Sequence, residues 1–248
     1  MKISIITATY NSEATIKDTL ESVNAQTYPD IEHIIVDGAS KDNTLDLVKK
    51  YGKRVSLIIS EPDKGIYDAM NKGIKAATGD VIGILNSDDF FTSNDVIATM
   101  VNAFENDEID AVFGDIHYVN PDNLNKCVRY YSSAAFNLSL FKFGIMPAHP
   151  SFYVKRSCYE KYGLYSLDYK IASDFDLLIR FLYTHKIKYQ YLKKDFVTMR
   201  TGGESTKNLN NRMLINKEDL KACRKYGITT NIFMIMLKYL YKIFELKV

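Results

Sequence analysis

The stretch Asp80-Val81-Ile82-Gly83-Ile84-Leu85-Asn86-Ser87-Asp88-Asp89-Phe90-Phe91 decides the fold. Small and branched apolar residues from Val81 to Leu85 run directly into a polar cluster with two adjacent carboxylates. That is the pattern of a buried strand delivering a charged tip to the edge of a sheet. Adjacent carboxylates repel, so a positive partner is expected beside them. A divalent cation meets the need, because Mg²⁺ or Mn²⁺ takes one or two carboxylates and completes its shell with water and phosphate oxygens. A ligand-free turn is the alternative, since Ser and Asp are ordinary turn residues. The choice depends on what the other strand ends carry.

Upstream of this stretch, strand and helix patterns alternate with short connections. Ile3 to Thr7 is an apolar run; Asn11 and Ser12 offer helix caps, and Ile16, Leu20 and Val23 follow at helical spacing until Pro29. His33 to Asp37 reads as the second strand, and Asp42 as the cap of a helix carrying Leu45, Val48 and Tyr51 and ending at Gly52. Val55 to Ile59 reads as the third strand, followed by a helix with Ile66, Ala69, Met70, Gly73, Ile74 and Ala77 on one stripe. Repeated β-α-β units with continuous apolar strands predict an α/β fold with a mostly parallel central sheet and helices on both faces.

Ligands of open parallel sheets sit beyond the carboxyl ends of the strands. Those ends are polar here: Thr7-Ala8-Thr9-Tyr10-Asn11, Asp37-Gly38-Ala39-Ser40, Glu61-Pro62-Asp63-Lys64-Gly65 and Asn86-Ser87-Asp88-Asp89. All four are expected to face one crevice, suited to a base-and-ribose pocket beside a metal-diphosphate site, with Asp37 placed to accept from a base N–H or a ribose hydroxyl. No Gly-x-Gly-x-x-Gly or Gly-x-x-x-x-Gly-Lys-[Ser/Thr] loop follows any strand, which disfavours a dinucleotide enzyme and a P-loop NTPase.

Composition narrows the class further. The chain has 248 residues, 46% hydrophobic and 25% charged, in the range of a soluble globular protein with one large α/β domain and an extension. A net charge of +2 gives no reason to expect a nucleic-acid partner. Cys127, Cys158 and Cys223 are widely separated, and an odd count without an export signal fits reduced thiols and a cytoplasmic location.

The runs Ser4-Ile5-Ile6-Thr7-Ala8-Thr9-Tyr10-Asn11, Ile35-Val36-Asp37-Gly38-Ala39-Ser40-Lys41-Asp42-Asn43-Thr44 and Leu85-Asn86-Ser87-Asp88-Asp89, with Glu61 to Gly73 between the third and fourth strands, together resemble a family 2 glycosyltransferase of the GT-A fold. Within that family the chain is most similar to the single-domain bacterial transferases of O-antigen and surface polysaccharide. The resemblance implies a GT-A domain over residues 1–205, with a nucleotide-sugar half at 1–119 and an acceptor half at 120–205. It implies inverting, metal-dependent transfer of one sugar from a nucleotide sugar, most often a UDP-sugar, to a saccharide or lipid-linked saccharide acceptor, with Mn²⁺ or Mg²⁺ as cofactor. Position by position, it assigns the nucleotide sugar to Thr9, Tyr10, Asn11, Asp37, Asp63, Lys64, Asn86, Ser87 and Asp88. Asn86-Ser87-Asp88 stands where the family has Asp-x-Asp. Because an amide oxygen is a weaker metal ligand than a carboxylate, Asn86 is assigned to a hydroxyl and the metal to Asp88 with Asp89.

In the second half, Asp110 to Tyr118 alternates like a strand, while 120–147 lacks periodicity and reads as a loop-rich acceptor lip. Pro147 to Tyr153 resembles the family's acceptor-side segment, placing His149 there, ahead of a helix from about Lys155 to Tyr162. Ile171-Ala172-Ser173-Asp174-Phe175-Asp176 resembles the family's Glu-Asp helix start, with Ser173 in place of Glu, which assigns Ser173 to the acceptor side and Asp174 to the catalytic-base position. Asp176 and Arg180 are spaced to pair along the helix. Met199 to Thr206 reads either as a flap over the donor or as a plain connecting loop.

Residues 206–248 form a C-terminal helical extension. Its last part, 231–248, is apolar with Lys238, Lys242 and Lys247 near helical spacing, and reads as an interfacial helix on the inner face of the cytoplasmic membrane. Docking on the domain or on a second copy of the chain, as a homodimer, is the alternative. The absence of Trp excludes the Gln-x-x-Arg-Trp signature of processive members, and no apolar run reaches the ~18–20 residues of a membrane span. A nucleotidyl-type sugar-nucleotide enzyme lacks support, because Thr7 to Ser12 holds no Gly, Lys or Arg for a triphosphate. An inactive sugar-nucleotide binding module is the remaining alternative, and joint retention of Asp37, Asp88, Asp89 and Asp174 argues against it.

Overall fold

The structure is a computed structural model that describes residues 1–202, 209–243 and 245. Gly203 to Thr206 of the expected flap and the extreme C-terminus of the expected interfacial helix lie outside the described residues. Strands β1 (Ile3–Thr9), β2 (Ile31–Asp37), β3 (Val55–Ser60) and β4 (Val81–Ile84) alternate with helices α1 (Ile16–Asn24), α2 (Thr44–Tyr51) and α3 (Ile66–Ala76). This is the order expected from the periodicity. Beyond β4 come β5 (Phe90–Phe91), α4 (Val96–Ala103), β6 (Ala111–Asn120), β7 (Asn123–Tyr131), β8 (Tyr153–Lys155), α5 (Arg156–Tyr162), α6 (Ser173–Leu178), β9 (Tyr189–Arg200), α7 (Leu209–Lys225), α8 (Ile232–Met236) and α9 (Lys238–Ile243).

One sheet runs β3-β2-β1-β4-β8-β6-β9-β5, with β7 paired to β6. The β1–β2, β1–β4, β2–β3 and β6–β9 pairs are parallel. The β4–β8, β5–β9, β6–β7 and β6–β8 pairs are antiparallel. The sheet is therefore parallel through the first half and mixed in the second, and the second half of the chain completes the same sheet. Residues 120–147 also hold more structure than their composition suggests: β7 forms a hairpin with β6, its outer residues exposed and so without apolar alternation.

Strand alternation explains how helices cover both faces. Ile6, Ala8, Ile34 and Val36 pack with Ala69, Met70 and Ile74 of α3. Ile35 turns the other way to Ile16, Leu20 and Val48 of α1 and α2, and Ile3 and Ile5 pack near Val96, Ile97 and Met100 of α4. At the edge, β3 departs from the expected covered strand, with Leu57 and Ile58 exposed.

Close approach of backbone to ring is built in at Gly83. A Cβ there would stand 2.0 Å from Cε1 of Tyr153, whose side chain is fully buried. Gly83→Ala should therefore cost about 1–3 kcal/mol of stability by overpacking, read as a lower urea midpoint at unchanged slope. An unaltered midpoint would show that the ring moves freely.

His33 is buried in β2, its Nε2 3.0 Å from Thr7 Oγ1 and its Nδ1 without a partner. Burial pulls its pKa down to about 3 from the ordinary 6.5. The unfolded chain thus binds a proton below pH 6.5 that the folded chain refuses until about pH 3. Stability from this group is complete above pH 6.5 and falls as pH drops, by about 1.4 kcal/mol per pH unit. His33→Asn should flatten the stability profile between about pH 6.5 and 5, as followed by thermal melts; an equally steep profile would assign the acid sensitivity elsewhere.

Candidate active site

The carboxyl ends of β1 and β4, the loop after β3 and the start of α6 meet around a cavity of about 660 Å³. Parallel β1, β3 and β4 enter it from one side because β-α-β crossovers place equivalent strand ends together. Thr9, Tyr10, Asp63, Asn86, Ser87 and Asp88 line it, and so do His149 and Asp174.

At the strand ends, Tyr10 is 61% exposed. Asp63 stands beside the Gly38 backbone, near enough that a Cβ there would lie 2.6 Å from Asp63 Oδ2 and 3.3 Å from the Tyr10 ring. Asp63 Oδ1 accepts from the Gly65 N–H at 2.8 Å, which fixes the loop. Thr9 Oγ1 and Asn86 Oδ1 are buried without hydrogen-bond partners. Both residues line the cavity, and a buried polar atom without a hydrogen bond is costly. Ser87 Oγ is 2.8 Å from Ser12 Oγ.

Four residues assigned to substrate by resemblance are turned elsewhere. Asp37 is fully buried; its carboxylate accepts from Ser40 Oγ at 2.5 Å and Ser60 Oγ at 2.7 Å, so it ties β2 to neighbouring loops. Asn11 takes a left-handed φ of 48°, and its Oδ1 accepts from the Lys41 N–H at 2.8 Å, stapling the first two strand-end loops. Lys64 donates its backbone N–H to Asp68 and does not line the cavity. Ser173 is buried and donates to the Ser166 carbonyl at 2.7 Å. Each is a loop-holding residue because a polar group of the same chain reached it first.

The two carboxylates of the opening stretch also part company. Asp88 lines the cavity, its backbone carbonyl accepting from Arg200, which also pairs with Asp18. Asp89 is 1% exposed, and neither carboxylate oxygen has a hydrogen bond. Burial, then Asp88, pushes its carboxyl far above the usual range, with Arg200 opposing. The expected ligand Asp89 does not line the cavity: the turn between β4 and β5 presents Asp88 there and leaves Asp89 buried. Among the described residues no group of three or more His, Cys, Asp or Glu side chains gathers to hold a metal. The donor set at Asp88 still fits Mg²⁺ or Mn²⁺, which needs one protein carboxylate when water and diphosphate oxygens supply the rest.

At the start of α6, Asp174 Oδ1 accepts from the Phe175 N–H at 2.8 Å. Its Oδ2 lies 3.1 Å from His149 Nδ1, and both side chains are partly exposed to the cavity, at 13% and 28%. Tyr67 donates to the Ile171 carbonyl, with its hydroxyl 3.4 Å from Asp174 Oδ1. The loop leading to Asp174 is anchored from α7, where Glu218 accepts the backbone N–H groups of Lys170, Ile171 and Ala172 at 2.8, 2.9 and 2.9 Å. Neither Tyr67 nor Glu218 stood out in the sequence, since both contacts are non-local. The expected Asp176–Arg180 pair is absent. Asp176 instead meets Lys225 at 2.8 Å and Tyr226 at 3.2 Å, and Arg180 donates to the Leu164 carbonyl at 2.5 Å. A π-helical turn over Ile179–Thr184 breaks the one-turn spacing on which the expectation stood.

The C-terminal helices complete the wall. Lys238 and Lys242 of the expected interfacial helix line the cavity. Lys238 Nζ is 2.5 Å from Asp219 Oδ2, with both groups almost fully buried. The apolar residues carry the outer face: Phe233, Met236, Leu237 and Leu240 are exposed.

Comparison with known proteins agrees with this architecture. The family model "Glycosyl transferase family 2" matches residues 4–163. A PGL/p-HBAD biosynthesis glycosyltransferase of Mycobacterium bovis is 33% identical over 183 residues, covering 71% of this chain and 68% of that protein. The crystal structure of S. aureus TarS 1-349 in complex with UDP-GlcNAc superposes with a TM-score of 0.70 at 19% identity, over 98% of this chain and 73% of that one. A longer TarS chain is matched over 44% of its length. The mannosyltransferase PcManGT from Pyrobaculum calidifontis, in complex with GDP-Man and Mn²⁺, gives 0.67 at 19% identity, over 97% of this chain and 69% of that one. The two structural likenesses establish the GT-A fold.

Proposed function

The chain belongs to glycosyl transferase family 2, and from that premise we propose that it transfers one sugar from a UDP-sugar to a saccharide acceptor, with inversion, using Asp174 as general base. The observation that carries this reading is that Asp88 and the Asp174–His149 pair line one cavity. Inversion needs a carboxylate on one face of the sugar and charge stabilisation of the leaving diphosphate on the other. Asp174 takes the proton of the attacking hydroxyl as its oxygen bonds to the anomeric carbon and the bond to the diphosphate breaks. The Phe175 N–H and His149 hold the carboxylate in place. Tyr10, Asp63 and Thr9 would seat the base and ribose, and Asn86 a hydroxyl. A divalent cation held by Asp88 would supply Lewis-acid neutralisation of the diphosphate.

The test is a panel of nucleotide sugars incubated with the protein and a divalent metal, followed for release of free nucleotide by slow hydrolysis. One UDP-sugar is expected to stand out. Turnover of a nucleoside triphosphate with a sugar phosphate instead would transfer the protein to the nucleotidyl class.

We propose further that the acceptor is a lipid-diphosphate-linked saccharide of a bacterial surface polysaccharide, met at the membrane surface. Exposed Phe233, Met236, Leu237 and Leu240 support this, because a contiguous apolar face on a short amphipathic element inserts at the headgroup boundary. No described helix is long and apolar enough to cross a membrane. Replacing Phe233, Leu237 and Leu240 together by Ser should release the protein from phospholipid vesicles by at least about tenfold; equal partitioning of both forms would remove the membrane from the reading.

A further inference from the structure

One end of the cavity is cationic, and the transfer scheme above does not use it. Arg129 of β7 and Lys238 and Lys242 of α9 all line it. Lys238 is neutralised by Asp219. Arg129 is held by Glu245, with Nε 2.6 Å from Oε2, and lies 4.7 Å over the Tyr118 ring. Lys242 is the third cation. Among the described residues it has no carboxylate in ion-pair contact, and its ammonium lies 5.5 Å from the Tyr239 ring.

Three cations thus face two carboxylates in a largely buried setting, and a buried ammonium without a counter-charge is expensive. The cost is visible: burial, then Arg129 and Lys238, pull Lys242 down to about 8, with Glu245 and Asp219 opposing. The cluster borders the reacting centre. Tyr118, whose ring lies under Arg129, lines the same cavity as Asp88 and Asp174. An anion entering the cavity would supply the missing charge, and a phosphate is the anion that both substrates of the proposed reaction carry.

We propose that Lys242, flanked by Arg129 and Lys238, is a phosphate-oxyanion subsite that the C-terminal helices add to the cavity, occupied by the donor diphosphate or by the phosphate of the acceptor. The proposal rests on the glycosyl-transfer reading. A tethered ammonium and guanidinium give charge-assisted contacts to such oxygens without a phosphate loop. The C-terminal extension then has a substrate-binding role that its apolar composition hides.

The experiment uses the full chain, with binding of inorganic pyrophosphate, UDP and geranyl diphosphate measured by calorimetry in chelator for wild type, Lys242→Gln and Lys242→Arg. Lys242→Gln should bind pyrophosphate at least about tenfold more weakly, with Lys242→Arg restoring most of the affinity. A parallel loss for UDP assigns the subsite to the donor, and a loss for geranyl diphosphate with UDP unchanged assigns it to the acceptor. In the wild-type protein, pyrophosphate should also shield Lys242 from amine acetylation at pH 8, read by mass spectrometry, a measurement that needs no variant to fold. Unshielded Lys242 with identical affinities in Lys242→Gln overturns the subsite while leaving sugar transfer standing. Absence of nucleotide-sugar turnover by wild type would overturn the transferase reading and leave the shielding measurable.

Discussion

Asp174→Asn should eliminate sugar transfer while leaving donor binding and stability near wild type. The amide keeps an oxygen for the Phe175 N–H that Asp174 Oδ1 accepts at 2.8 Å, and the three backbone N–H groups ahead of it remain anchored by Glu218. The start of α6 should therefore keep its place. What the amide lacks is basicity, and a positioned general base is worth about 10²- to 10⁴-fold in rate. The drop should fall on kcat, with UDP affinity unchanged by calorimetry. Correct-acceptor transfer at wild-type rate would remove Asp174 from the chemistry and turn attention to His149, which lies 3.1 Å away. His149→Gln separates the roles. It should lower kcat by about tenfold if the imidazole positions the carboxylate, and as fully as Asp174→Asn if the imidazole is the base.

Asp88→Ala should abolish the metal-dependent part of UDP binding and lower kcat/KM by at least about 10²-fold. Asp88 is the carboxylate at the end of β4 that faces the cavity, since Asp89 is buried beneath it. No strand-end Gly-rich loop offers its N–H groups to a diphosphate in this chain, so a cation held there has no backbone substitute. Calorimetric titration with UDP in Mn²⁺ and in chelator checks the claim: wild type should differ between the two conditions, and Asp88→Ala should not. An undiminished metal effect would place the cation on other residues. Asp89→Asn makes the internal control, because a buried, unpartnered carboxyl contributes no ligand and its replacement should leave the metal effect intact.

The first half of the fold was legible because its determinants are local. Apolar runs and helical stripes report directly which face of an element is buried, and short β-α-β connections force equivalent strand ends to one edge. That logic alone brought Thr9, Asp63, Asn86 and Asp88 to one cavity. Asp174, known from its likeness to a family motif, lines the same cavity.

What local pattern does not contain is competition among polar groups brought together by folding. Asp37, Asn11 and Ser173 sit where the motif puts them, yet their side-chain oxygens are engaged by Ser40 and Ser60, by Lys41 and by Ser166. A pairing at helical spacing failed for Asp176 because Lys225 and Tyr226 arrive from another helix. The same cause shapes the C-terminus, where Lys238 pairs with Asp219 and lines the cavity with Lys242 while Phe233, Met236, Leu237 and Leu240 stay exposed. Sequence by itself determined the order of elements, the family and the edge of the sheet where the cavity forms. Only the tertiary structure decided which of the polar residues at that edge remain free for a ligand, because a hydrogen bond is claimed by whichever partner the packed chain brings within about 3 Å.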